Sequence, residues 1–309
     1  MLVVVNPTAG GGTAVAKWCR IGPEVRRRLG SCEVAITDPA HAGSAIEQAL
    51  TRGELDFVAA GGDGTVNLVA SRLLKHSDGN APGCVRLGAV GLGSSNDFHK
   101  PLQRTRTILG IPCKIDFQGA EPWDVGDLVY EDETGRTGHR SWLVNASIGI
   151  TAEANHLFNH PNSVLRLLKR VSVDMAISYA ALHTIWRFRG HEVAIQIDGE
   201  GPIRTSVKNV GVVKNPHFGG SLRYDSPYEP QSSDFYVHLM KAVALPRLLW
   251  VVAHLLRGEF MGRKGTLSSR ARRVAISADR PFAVECDGEV VTAVRALFTL
   301  LPRRLSICR

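Results

Sequence analysis

Four clusters in this chain combine residue types and spacings that could do chemistry. The sharpest is Gly61-Gly62-Asp63-Gly64-Thr65-Val66-Asn67, directly after the apolar run 56–60. Glycines between a strand and a helix let backbone N–H groups approach a phosphate, and the helix N-terminus adds a favourable dipole. A carboxylate in that loop, Asp63, makes sense facing Mg2+ or a hydroxyl, because bare phosphate repels it. Thr65 can donate to phosphate or cap the helix. Asn6-Pro7-Thr8-Ala9-Gly10-Gly11-Gly12 repeats the logic one strand earlier, and Ser94-Ser95-Asn96-Asp97-Phe98 supplies hydroxyls and an amide at a third strand end. The structural alternative for each is a tight turn with a polar cap. Neither G-x-G-x-x-G nor G-x-x-x-x-G-K-[ST] occurs, which removes support for the standard dinucleotide and P-loop readings.

The fourth cluster is Asp287-Gly288-Glu289. Two carboxylates flanking a glycine share one face of a strand, or are aimed together by a turn. Neighbouring carboxylates push one pKa upward, which suits a base. A polar hairpin turn is the bland alternative.

These clusters need elements to hold them. The chain has 309 residues, about two domains at ~150 residues each. Strand patterns at 2–5, 33–37, 56–60 and 86–90 alternate with helical patterns at 13–29, 42–51 and 66–75. That alternation predicts an α/β domain with a parallel sheet, with every Gly/Ser cluster at a strand's carboxyl end, where such sheets bind ligands. After Pro122 the pattern changes to short strand-like runs at 124–130, 141–150, 193–198, 206–213, 235–239, 274–278, 283–286 and 293–300. They are interrupted by helical stretches at 163–188 and 246–256, with loops at 131–139 and 224–233. Many short strands with turn signals predict a β-rich, sandwich-like second domain. The expected division is 1–122 and 123–295.

Composition narrows the classes further. With 44% hydrophobic and 21% charged residues, collagen-like, disordered and coiled-coil chains are excluded. The six cysteines form no C-x-x-C pair and have no His at zinc spacing, which reads as reduced thiols of a cytoplasmic protein. The N-terminal apolar run lacks a basic n-region, and no apolar stretch approaches ~20 residues, so neither a signal peptide nor a membrane span is expected. A net charge of +8 suits an anionic partner.

Together these marks resemble the bacterial diacylglycerol kinase catalytic-domain family, which also contains sphingosine and ceramide kinases. They are Asn6-Pro7 with Gly10, residues 61–65 with Asn67, Asn96-Asp97-Phe98, Asn145 with Ser147 and Gly149, Gly219-Gly220, and Asp287-Gly288-Glu289, in family order over nearly the whole chain. The Gly-Gly-Asp-Gly-Thr block is shared with NAD kinases and resembles phosphofructokinases. Asn-Asp-Phe with a late Asp-Gly-Glu is more specific to lipid kinases.

The resemblance implies an ATP-binding α/β domain, a C-terminal β-sandwich and an active site between them, with 296–309 returning to the first domain. It implies that Asn6, Thr8, Gly10, Thr37, Gly61, Gly62, Asp63, Gly64, Thr65, Asn67 and Ser94 contact ATP or its Mg2+. Asp287 and Glu289 match the catalytic pair, with Glu289 as proton acceptor from the lipid hydroxyl. There are departures. Leu68 replaces a usual Glu, Gly91-Leu92-Gly93-Ser94-Ser95 replaces a Pro-x-Gly-Thr-Gly, and Ser221 stands for a third Gly. Ser232-Ser233-Asp234-Phe235-Tyr236 replaces a metal-holding Asp-Gly-x-Leu-Asp, leaving Asp234 as the residue able to ligate a structural Mg2+.

Two basic stretches lie beside aromatic and aliphatic residues: 263–273, after Trp250 and Phe260, and 164–189, with Arg166, Lys169, Arg170, Arg187 and Arg189. Such stretches suit peripheral docking on an anionic membrane, or a solvated face over a core stripe. No nucleic-acid pattern is present. The expected function is an ATP- and Mg2+-dependent lipid kinase acting on a membrane lipid. The alternatives are an NAD kinase-like small-molecule kinase and a catalytically weak nucleotide- or lipid-binding protein. Acceptor identity and oligomeric state stay open.

Overall fold

A computed structural model describes residues 1–76, 84–103 and 106–309. The chain separates into one unit of Met1–Val125 with Pro302–Arg309 and a second of Gly126–Leu301.

In the first unit, β1 (Leu2–Val5), β2 (Glu33–Ile36), β3 (Asp56–Gly61) and β4 (Arg86–Gly91) pair in parallel in the order β2-β1-β3-β4. Ser306 and Ile307 extend the sheet in parallel beside Arg86 and Leu87. Three helices connect the strands: α1 (Ala14–Leu29), α2 (Pro39–Thr51) and α3 (Asp63–His76). β1 and the carboxyl ends of β3 and β4 are continuously buried because helices cover both sheet faces. Trp18, Ile21 and Val25, at i, i+3 and i+7 of α1, pack on Val3, Val5, Val58 and Val90. The Asp38 carboxylate caps α2 by accepting from the N–H groups of Ala40 and His41.

α3 starts three residues earlier than its apolar spacing predicts. The N–H groups of Thr65 and Val66 both donate to the Gly62 carbonyl, so Asp63, Gly64 and Thr65 form the first helical turn. What reads as a glycine loop is a helix N-terminus pressed against its strand.

The second unit is a β-sandwich-like domain built on antiparallel strands. Ile203–Val213 runs through its middle, pairing with His191–Ile197 and Asn145–Gly149 along one edge and Phe235–Lys241 along the other. Val274–Cys286 pairs with the same two short strands and then with Glu289–Ile307. Trp142, Phe235, Phe282 and Phe298 are fully buried in the common core.

Several sequence expectations change here. The run 141–150 divides: Thr137–Trp142 ends one strand and Asn145–Gly149 forms another. Gly149, at φ +90, then starts a helix that apolar periodicity did not reveal, α4 (Ile150–Asn159). Runs 274–278 and 283–286 are one strand with a register shift between Ser277 and Phe282. The single helix expected over 163–188 is two, α5 (Ser163–Val171) and α6 (Val173–Arg187), because Ser172 adopts φ −158 and caps α6 through the Met175 N–H. The stretch 246–256 is α7 (Leu245–Leu255), with Pro246 in its first turn. No helix among the described residues is long and apolar enough to cross a membrane.

Candidate active site

Three backbone segments meet at the carboxyl ends of β1, β3 and β4. A Cβ on Gly93 would come within 2.5 Å of the Gly62 Cα, and one on Gly10 within 2.6 Å of the Leu92 carbonyl oxygen. The loops therefore touch backbone to backbone, which only glycine permits. Gly10 and Gly11, at φ +58 and +67, turn the chain between β1 and α1. Gly61 is equally constrained: its Cβ would overlap the Thr65 side chain.

Side chains lock this arrangement. The Asn6 amide donates to Thr65 Oγ1 at 3.0 Å, and Asn6 Oδ1 accepts from the Thr8 N–H and hydroxyl. Asn96, in the left-handed conformation at φ +48, accepts from the Gly93 N–H and donates to the Gly91 and Gly93 carbonyls. The Phe98 N–H donates to Asp63 Oδ1 at 2.8 Å. Asp97 is buried and ion-paired with Lys100 at 2.6 Å. Asn96-Asp97-Phe98 thus shapes the third loop and aims the Asp63 carboxylate.

The predicted nucleotide residues separate by depth. Thr8, Gly64 and Ser94 are exposed, and Thr37, beside Asn6 through its N–H bond to Val5, is half-buried. Thr65 and Asn67 are buried, the first beneath Gly61 and the second accepting from the Ser71 hydroxyl. Their side chains brace the loop from below. Sequence reading missed Lys17, whose ammonium donates to the Leu92 carbonyl at 3.2 Å and lies beside Gly10. Its place in the first turn after the glycines was the available signal. Exposed backbone N–H groups, hydroxyls and one ammonium at a helix N-terminus are chemistry suited to a polyphosphate.

The second unit holds the other cluster. Asp287-Gly288 is the two-residue loop of a hairpin in which Cys286 pairs with Glu289, with both loop residues at positive φ. Asp-Gly is favoured in such loops. Asp287 and Glu289 do not act as a matched pair. The Asp287 carboxylate is buried and accepts from the N–H groups of Leu143 (2.6 Å), Val144 (3.0 Å) and Asn145 (3.0 Å). The Glu289 carboxylate is half-exposed, 3.7 Å from the Arg140 guanidinium.

A third carboxylate escaped sequence reading. Glu285 is buried, accepting from the Ser147 hydroxyl (2.7 Å) and the Gly288 N–H (2.5 Å). An acid inside the apolar run 282–286, two residues before Asp287, was its signal. Ser147, one of the family marks, is thus a partner of this turn. Desolvation pushes the neighbouring Cys286 thiol well up, aided by the negative charge of Glu285 and Asp287.

The fold of the chain is similar to that of a diacylglycerol kinase from Bacillus anthracis, at TM-score 0.68 and 15% identity, covering 99% of this chain and 95% of that one. The diacylglycerol kinase catalytic domain family matches residues 1–128, and the YegS C-terminal NAD kinase beta sandwich-like domain family matches residues 145–309. The chain belongs to the diacylglycerol kinase and YegS family. Relatives of this family include the diacylglycerol kinase of Bacillus subtilis, 24% identical over 99% of this chain and 94% of that protein. A Xanthomonas campestris protein named "Probable lipid kinase YegS-like" is 35% identical over 102 residues, a third of each chain.

The family's metal chemistry can be tested against these residues. Asp63 fits: one oxygen is fixed by the Phe98 N–H, and a carboxylate offers about four lone-pair positions to an oxygen-seeking cation. At Asp234 the Arg270 guanidinium lies 3.4 Å from Oδ2, while Oδ1 is buried with no hydrogen-bond partner among the described residues.

Proposed function

We propose that the chain is an ATP- and Mg2+-dependent kinase that transfers the γ-phosphate to a hydroxyl of a membrane lipid, diacylglycerol-like or sphingoid-like. The observation that carries this reading is the convergence of three glycine-bearing loops at the carboxyl ends of β1, β3 and β4, around Asp63 and Lys17. The named activity of the full-length Bacillus subtilis relative supports the lipid acceptor.

Phosphoryl transfer is mostly positioning and charge neutralisation. Backbone N–H groups of the first unit, with Thr8, Ser94 and Lys17, hold the triphosphate. Asp63 would hold Mg2+, directly or through water, and the ion would supply neutralisation of phosphate charge. Glu289 accepts the hydroxyl proton and orients the attacking oxygen. Asp287 is a positioning residue: it ties the hairpin turn to 143–145 and so sets where Glu289 stands.

The test is incubation with radiolabelled ATP and a total lipid extract, followed by identification of the labelled product. One labelled phospholipid is expected, and none with Asp63→Ala. If ATP binds and no lipid acquires label, the lipid-kinase reading falls. Label on added NAD instead would mark a small-molecule kinase.

A further inference from the structure

Helices α5 and α6 each leave an apolar row uncovered. On α5, Val164, Leu167 and Val171 stand at i, i+3 and i+7 and are 52%, 62% and 70% exposed. Leu165 and Leu168 on the opposite face pack with Ala176, Ala180 and Tyr179. On α6, Met175, Leu182 and Trp186 stand at i, i+7 and i+11 and are 53%, 62% and 75% exposed. Six of the fifteen exposed large apolar side chains among the described residues fall on these two helices, which make up under a tenth of the chain. Scattered apolar residues are ordinary on a surface, whereas rows along two consecutive helices mark a binding face.

Charge selects the occupant. Residues 163–189 carry five Lys or Arg against one acid, Asp174. Arg166, Arg187 and Arg189 are exposed, and Lys169 is held by the Phe158 carbonyl and ring. The Arg170 side chain lies outside the described residues. The other basic stretch is different. Arg263 pairs with Glu259 and lies over the Trp250 ring, and Arg270 pairs with Glu229 and Asp234. Two of its five cations are thus answered from within the protein. A second copy of the chain on the α5–α6 face would bring like charges together across a two-fold axis. An anionic surface would not. At 15 residues, α6 is about 22 Å long, a helix to lie in a membrane interface rather than to cross it.

We propose that α5 and α6 are the membrane-docking surface. Leu167, Leu182 and Trp186 enter the headgroup–acyl boundary of an anionic bilayer, and Arg166, Arg187 and Arg189 sit at phosphate level. This deepens the lipid-kinase reading and rests on it for the presence of a bilayer.

The test uses the full chain without nucleotide, with vesicles of phosphatidylglycerol and phosphatidylcholine in equal parts or of phosphatidylcholine alone. Trp186 is strongly exposed, while Trp18, Trp123, Trp142 and Trp250 are buried or half-buried, so its fluorescence reports docking. Expected are binding to the mixed vesicles, weaker binding to the neutral ones, and a blue shift lost in Trp186→Phe. Leu167→Glu and Leu182→Glu should each weaken binding at least about tenfold, with melting temperatures unchanged because both sites are exposed.

Wild-type binding by both Glu variants overturns the proposal, as does equal affinity for neutral vesicles. A concentration-dependent dimer that the Glu variants abolish, with vesicle binding intact, assigns the face to a second copy and overturns it too. Phosphorylation of lipid in detergent micelles separates the two readings. Glu variants active in micelles but slow on vesicles support the surface. No lipid phosphorylation by wild type in micelles is a failure of the kinase assignment alone.

Discussion

Asp287 and Glu289 are two residues apart and do different work. A carboxylate whose lone pairs receive three backbone N–H groups is a poor proton acceptor, since taking a proton would break the bonds that hold 143–145. Glu289, half-exposed beside Arg140, has no such obligation. Glu289→Gln should therefore slow transfer by about 10²–10⁴-fold while the ATP dissociation constant and melting temperature stay near wild type. Asp287→Asn turns an amide NH2 toward backbone donors and should cost about 2–4 kcal/mol of stability, read as a lower urea midpoint. A fully stable Asp287→Asn with collapsed transfer would make Asp287 the base instead. The Asp-Gly-Glu cluster was legible in sequence because Asp-Gly marks a two-residue hairpin. The division of labour was not, since it depends on a segment 142 to 144 residues away in the chain. Glu285 was hidden for the same reason: its partner Ser147 is 138 residues distant.

At the scale of elements, the phosphate-type loops work as a set because Gly62 and Gly93 let two loops touch. The contact is asymmetric. A Cβ on Gly93 would lie 2.5 Å from backbone, whereas one on Gly62 would lie 3.3 Å from the Gly93 Cα. Gly93→Ala should therefore force the β4 loop away, weakening ATP binding at least about tenfold and costing about 1–3 kcal/mol, and Gly62→Ala should do less on both counts. Calorimetric titration with ATP checks the ranking, and equal affinities for the two variants would contradict the loop contact. β1, β3 and β4 were legible because buried parallel strands read as unbroken apolar runs. The break at Ser172 was not. Helical periodicity continues on both sides of it, and periodicity records which residues favour a helix rather than where the chain turns between two.

At the scale of the molecule, each unit keeps one histidine buried and neutral among the described residues. Burial pushes the His99 imidazole down to about 3, with the Lys114 ammonium adding to the shift. Burial also pushes His238 down to about 3, against a smaller upward pull from Asp225. His238 bonds to the Ser226 and Ser268 hydroxyls and stacks on Tyr224 at 4.0 Å. Neither His99 ring nitrogen has a hydrogen-bond partner among the described residues. Between pH 6.5 and 3 the unfolded chain binds a proton at each site that the folded chain refuses. Stability therefore rises with pH across that window and is lost as pH falls through it. The lowered carboxyls act later: Glu24, held down to about 2 by Arg27 and Arg28, loses its contribution only below 4.5. The interval from pH 6.5 to 5 thus precedes the loss of the Glu24 contribution and carries that of the two histidines. There each should cost about 2 kcal/mol, lowering the melting temperature of its own unit by roughly 4–8 °C. Calorimetry on wild type, His99→Gln and His238→Gln over this interval should show a shallower pH slope in each variant. Slopes parallel to wild type in both would mean that the two imidazoles already charge in the folded state, which their burial forbids.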